Sequence, residues 1–137
     1  MPFPVDIKCI HDAEAKLGVK FPASFVVKMT KLNGSSVTAE IDEWQLYPFL
    51  DSSDRKRLAR TCNDIVRETR SARESPHFPT VAVAIGANGG GDHLILLPQQ
   101  DAPHALSHEV FWWDHETGEI NHVADDFADL LDDGSTE

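Results

Sequence analysis

The chain has 137 residues, 41% of them hydrophobic, and a formal net charge of -11 from 12 Lys and Arg against 23 Asp and Glu. A chain of this length fits one domain burying roughly 68% of the surface its unfolded form exposes, and a field of that sign repels nucleic acid, phosphate and anionic membrane while attracting a basic partner. Two cysteines, Cys9 and Cys62, are too few and too far apart for a disulfide framework or a CxxC metal site, so both are expected to be reduced.

The opening Met1-Pro2-Phe3-Pro4-Val5-Asp6 lacks the charged and apolar regions of a signal peptide, and no apolar run approaches the ~20 residues that span a bilayer. The expected compartment is the cytoplasm. Ile7, Ile10, Ala13 and Leu17 recur at helical spacing, with Gly18 placed for a left-handed C-terminal cap, which predicts a helix from about Val5 to Leu17. Pro22 suits the first turn of a second helix with Phe25, Met29 and Leu32 on one face, stopped by Asn33-Gly34. Val37, Ala39 and Ile41 alternate with polar neighbours, Trp44 and Leu46 follow, and Pro48 interrupts, predicting one or two strands.

Ser53 is placed to cap a longer helix running to about Arg73, with Leu58, Cys62, Ile65 and Val66 as its apolar stripe. Seven of the twelve basic residues lie between Arg55 and Arg73, the pattern of a solvated amphipathic helix rather than a nucleic-acid or lipid surface. After Pro76 and Pro79, the run Val81-Ala82-Val83-Ala84-Ile85 suits a central strand covered on both faces. Asn88-Gly89-Gly90-Gly91 predicts a turn in which Asp92 accepts backbone hydrogen bonds from the loop, and Leu94 to Leu97 is the returning strand. A second hairpin is expected from Val110–Asp114 and Glu119–Val123, with Gly118 at the position needing positive φ. A short final helix is predicted over Asp125 to Leu131, with Phe127, Leu130 and Leu131 facing the core and acids in its first turn.

The glycine cassette does not read as a phosphate loop, because Asp92-His93 leads into a strand where such loops open a helix. Asp92, His93, His108, Asp114, His115, Glu116 and His122 would converge if the two hairpins were neighbours. His115-Glu116-Thr117-Gly118-Glu119 nevertheless lacks the second histidine of HExxH, and no metal or other cofactor is assigned. Ser107-His108 and Cys62 have no nucleophile motif around them, so no catalytic residue is assigned; a small hydrolase built from the histidines and carboxylates is the enzymatic alternative. In Phe111-Trp112-Trp113 the two tryptophans must face opposite sides of a strand. If one sheet face is open, Trp112 or Trp113 stands partly exposed beside Asp114 and Glu116, the composition of an interface anchor in an acidic rim.

The positions of charge carry the functional reading. All twelve basic residues fall in the first 73 positions, and from Glu74 to Glu137 there are thirteen acids and no lysine or arginine. Such a half-chain points to a basic protein partner and away from nucleic acid and membrane. Asp92, Trp112, Trp113, Asp114, Glu116 and Glu119 are the residues expected to meet it; no oligomeric state is assigned.

Several motifs in this order resemble the SUKH superfamily, named after fungal cell-wall-assembly regulators and found widely in bacteria. They are Leu17-Gly18-Val19-Lys20-Phe21-Pro22, Asn33-Gly34, Trp44, Ile85-Gly86 with Gly89-Gly90-Gly91-Asp92, Val110-Phe111-Trp112-Trp113-Asp114-His115-Glu116, and Val123-Ala124-Asp125-Asp126-Phe127. Asp126 departs from the pattern, which commonly has serine there. The resemblance implies a single α+β domain, a mostly antiparallel twisted sheet with helices packed around it, and no established catalytic residues. It implies that Gly18, Pro22, Gly34, Trp44, Gly86, Gly91, Asp92 and Asp114 are structural. Bacterial members are similar to immunity proteins that neutralise polymorphic toxins, many of them nucleases; fungal members act as regulatory scaffolds. The expected function is therefore toxin neutralisation through an acidic surface, with a regulatory scaffold as the alternative.

Overall fold

Residues 3–39 and 42–132 are described in the computed structural model. The elements run α1 (Ile7–Leu17), α2 (Ala23–Lys31), β1 (Ser36–Ala39), β2 (Asp42–Leu46), α3 (Arg55–Arg60), α4 (Ile65–Ala72), β3 (Val83–Ala87), β4 (His93–Leu96), β5 (Val110–Trp113) and β6 (Ile120–Ala124). A 3-10 turn, Phe127–Asp129, then leads into β7 (Leu131–Asp132). The strands form one antiparallel sheet in the order β6-β5-β4-β3-β2-β1-β7, so the α+β expectation holds. No described helix is long and apolar enough to cross a membrane.

The Asp6 side chain accepts from the N–H of Lys8 and starts α1, and Gly18 ends it with φ 70° and its N–H on the Glu14 carbonyl. Ile10 and Ala13 are buried, whereas Ile7 is exposed. Pro22 is the N-cap of α2, one position before the predicted first turn. Phe25 and Met29 are fully buried, but Leu32 lies past the helix end and is exposed. Asn33 clamps this end: its Nδ2 donates to the Phe49 carbonyl at 2.9 Å and its Oδ1 accepts from the Phe49 N–H at 2.7 Å. Both groups of Phe49 are thereby paired where water cannot reach them.

Val37, Ala39, Trp44 and Leu46 point inward from the β1–β2 hairpin, and Val37 pairs with Trp44; Ile41, expected in the same alternation, lies outside the described residues. The long helix predicted from Ser53 to Arg73 is two short ones. Asp54, not Ser53, caps α3, and Asp64 caps α4 by accepting from the N–H of Arg67. Thr61 makes the break. Its hydroxyl donates to the Arg57 carbonyl at 2.8 Å and accepts from the Asp51 N–H at 2.9 Å, so the chain end of α3 is tied to the preceding loop. Local hydroxyl and carboxylate bonds of this kind compete with helix continuation. The predicted stripe divides with the helix: Ile65 and Val66 are buried, while Leu58 and Cys62 are exposed.

The apolar run at 81–85 does supply the central strand, displaced by two residues, because Val81 is exposed and β3 begins at Val83. Helix α4 is fixed to β3 by Thr69, whose fully buried hydroxyl accepts from the N–H of Ala84 at 3.0 Å and donates to its carbonyl at 3.3 Å. Beside it β3 bulges between Ala84 and Gly86. A β-carbon on Gly86 would lie 3.0 Å from the Gln45 carbonyl oxygen and 3.3 Å from Leu46 Cδ2, so glycine lets β2 and β3 close there.

The final helix is also corrected. Asp126 caps only one 3-10 turn, accepting from the N–H of Ala128, and Leu130 is already extended. The chain then pairs with the free edge of β1, Leu131 opposite Thr38 and Asp132 opposite Val37. Two strand-pairing residues thus end what propensity would have continued as helix. Phe127 is buried edge-on against Phe25. Asp and Ser both cap helical turns by the same acceptor bond, which explains why Asp126 stands in a position where the resembling proteins commonly carry serine.

Candidate functional site

The sheet order places β3, β4, β5 and β6 side by side, so four of the five strands from the half-chain without lysine or arginine form one continuous end of the sheet, while β7 lies at the other. The last cation before it, Arg73, donates through Nη2 to the Ala82 carbonyl at 3.1 Å. In the described ion pairs, Asp92, Glu109, Asp125 and Asp126 meet histidines. Arg57 instead faces Asp51 and Asp54, and the guanidinium carbons of Arg57 and Arg60 lie 5.1 and 4.8 Å from the Phe3 ring centroid.

The two hairpins are neighbours, because β4 pairs with β5. That places Asp92, at the end of the glycine turn, beside the β5–β6 turn. Asp92 does not bond its own loop as expected; Asn88 does, accepting from the N–H of Gly90. One Asp92 oxygen accepts from Trp112 Nε1 at 2.9 Å, and the other accepts from the His115 N–H at 3.0 Å and meets His115 Nδ1 at 2.6 Å. Burial alone would raise the Asp92 pKa, but the bonds from His115 and Trp112 outweigh it and hold the carboxyl below its usual range. The hydrogen bond with Asp92 in turn raises His115 above the ordinary histidine value. Asp92 is thus a latch between the two hairpins with both oxygens engaged.

Trp113 is buried and donates through Nε1 to the His77 carbonyl at 3.1 Å, stacked on His93 and edge-on to Phe78. It is therefore not a surface anchor, which corrects its place among the partner-binding candidates. Trp112 is half-buried, edge-on to Trp44 at 5.0 Å. His93 sits in this aromatic pocket with Tyr47 Oη at 3.0 Å from Nδ1, and burial lowers its pKa and favours the neutral imidazole. Asp114 is half-buried and shapes the turn, its Oδ1 accepting from the N–H of Glu116 at 2.8 Å. Gly118, at φ 80°, lies against His77 and donates to the Asp114 carbonyl, while the Asp114 N–H reaches the Glu119 carbonyl. That is a glycine bulge. Glu116 and Glu119 are exposed.

A second group lies at the other end of β5 and β6. His122 Nε2 is 3.0 Å from Asp125 and 3.3 Å from Glu109, and His108 Nδ1 is 3.9 Å from Asp126. The sequence pointed to His108 and His122 but not to Glu109 or Asp125. These acids reach His122 because β5 and β6 bulge between Val110 and Phe111, a register that no spacing reveals. Donor atoms of two groups, Asp92 with Asp114 and His115, and Glu109 with His122 and Asp125, lie within 4.8 Å of one another, a separation that can accommodate a cation. In the first group the nearest donors already bind each other, and the second is exposed.

A family model described as the SMI1 / KNR4 family (SUKH-1) matches residues 4–133. No curated protein and no solved structure matches the chain.

Proposed function

The chain belongs to the SMI1 / KNR4 family (SUKH-1), and from that membership we propose that it is a non-catalytic, cytoplasmic immunity protein that captures and neutralises a basic toxin. The observation that carries the reading is the placement of β3, β4, β5 and β6 next to one another, all drawn from the half of the chain without lysine or arginine. The four strands carry no acid, but the loops beside them carry Asp92, Glu109, Asp114, Glu116, Glu119 and Asp125. A nuclease is basic where it holds phosphates, so this loop surface is complementary to it and competes with its substrate. Complementary fields of this kind raise association toward ~10^8 M⁻¹s⁻¹ at low salt. Glu116 and Glu119 are the exposed members of the predicted set, with Asp114 shaping the turn that presents them and Trp112 half-buried behind Asp92.

Co-expression with the product of the neighbouring gene, followed by pull-down and an assay of that product's toxicity or nuclease activity, tests the proposal. The expected result is a stoichiometric complex in which the activity is lost. Capture without loss of activity supports a regulatory scaffold instead, and no capture counts against both.

A further inference from the structure

β6 ends the sheet, with β5 as its only strand neighbour among the described residues. Trp113 faces Ile120, Trp112 faces Asn121 and Phe111 faces His122, while the Asp114 N–H bonds the Glu119 carbonyl. Antiparallel pairs alternate between bonded and non-bonded. Counting from Glu119, Asn121 turns its backbone groups toward β5, and Ile120 and His122 turn theirs outward. Ile120, Asn121 and His122 are all exposed. Open edges are ordinarily blunted by lysine, proline or a bulge; β6 has neither lysine nor proline, and its bulge lies beyond His122.

Its ends are acidic: Glu119 precedes it, Asp125 follows it, and Glu109 lies beside His122. Antiparallel pairing of β6 with a second copy about His122 would set Glu119 opposite Asp125, and parallel pairing would set each acid opposite itself. Like charges directly opposite one another are destabilising, so those two self-pairings are disfavoured, and acids at both ends of the edge favour a cationic strand. We propose that the free edge of β6 is a strand-addition site for an extended segment of the partner protein in which lysine or arginine alternates with apolar residues. The added strand bonds to the outward N–H and C=O of Ile120 and His122, lays an apolar side chain on Ile120, and directs its cations to Glu119 at one end and to Glu109 and Asp125 at the other. This rests on the reading of the protein as a binder of a basic partner and specifies how that partner docks.

The test uses the full chain labelled with 15N and a short peptide of alternating lysine and valine, alongside the same peptide N-methylated throughout. Methylation keeps the charge and removes the backbone donors. The expected result is a shift pattern centred on the amides of Ile120, Asn121 and His122, slowed exchange at Ile120 and His122, and about tenfold weaker binding of the methylated peptide. Ile120→Pro should cause a similar loss while circular dichroism keeps the native spectrum, since the N–H it removes faces solvent. Equal binding of both peptides, with shifts spread over the acidic residues, overturns strand addition and leaves the acidic-surface reading standing. Shifts at β6 that follow protein concentration overturn it in favour of a second copy. No binding of either peptide at low salt overturns both readings.

Discussion

The His115 imidazole lies against Gly91 so closely that a β-carbon there would be 2.9 Å from Cε1 and 3.0 Å from each ring nitrogen. Gly91 also has φ 102°, a conformation that side chains disfavour. The glycine turn and the histidine turn are thus one structure, closed by Asp92.

Gly91→Ala is expected to cost about 2 kcal/mol, from the strained φ and the displaced ring. Gly90→Ala, whose added carbon meets nothing nearer than Asn88 Oδ1 at 3.5 Å, is expected to cost less than about 1 kcal/mol. Urea denaturation of both variants, compared at equal m-value, checks the difference.

The latch has a pH window. His115 is raised above 6.5, so its contribution is full below about pH 6.5 and is lost as pH rises through the folded value. Asp92 is lowered below 3.8, so its contribution is full above about pH 4 and is lost as pH falls through the folded value. The stability difference between the wild type and Asp92→Asn should therefore be largest between about pH 4 and 6.5. In the variant, the NMR titration of His115 should move down toward the ordinary histidine value. An unmoved titration would show that Asp92 does not hold the ring.

Reversing Glu116 and Glu119 to lysine is expected to slow association with the captured basic partner about tenfold at low salt, with the rates converging at high salt. Asp114 is left in place because its carboxylate holds the turn. Stopped-flow rates at two ionic strengths, with Lys56→Glu on α3 as the control, measure the effect. A rate that does not change at low salt would count against the acidic surface.

Thr69→Val removes the only side-chain hydroxyl described on Ala84 and strands a buried N–H and carbonyl. A loss of about 1 to 3 kcal/mol is expected, largely restored by Thr69→Ser. Thermal unfolding of the three proteins checks the series.

Legibility followed the range of the interactions. The α1 cap at Gly18, the inward alternation of Val37, Ala39, Trp44 and Leu46, the central strand and both hairpin turns rest on neighbours a few residues apart, and each was readable. The helix through 53–73 failed at Thr61, whose deciding partner is Asp51, and the last helix failed because Leu131 and Asp132 found β1.

Motif order and residue type alone establish the family, the fold class and the separation of charge along the chain. The burial of Trp113, the half-burial of Trp112, the joining of two hairpins by Asp92 and the gathering of Glu109 and Asp125 at His122 come from how distant segments pack. Strand register and sheet order set which side chains meet, and in a sheet a shift of one residue turns every side chain to the other face.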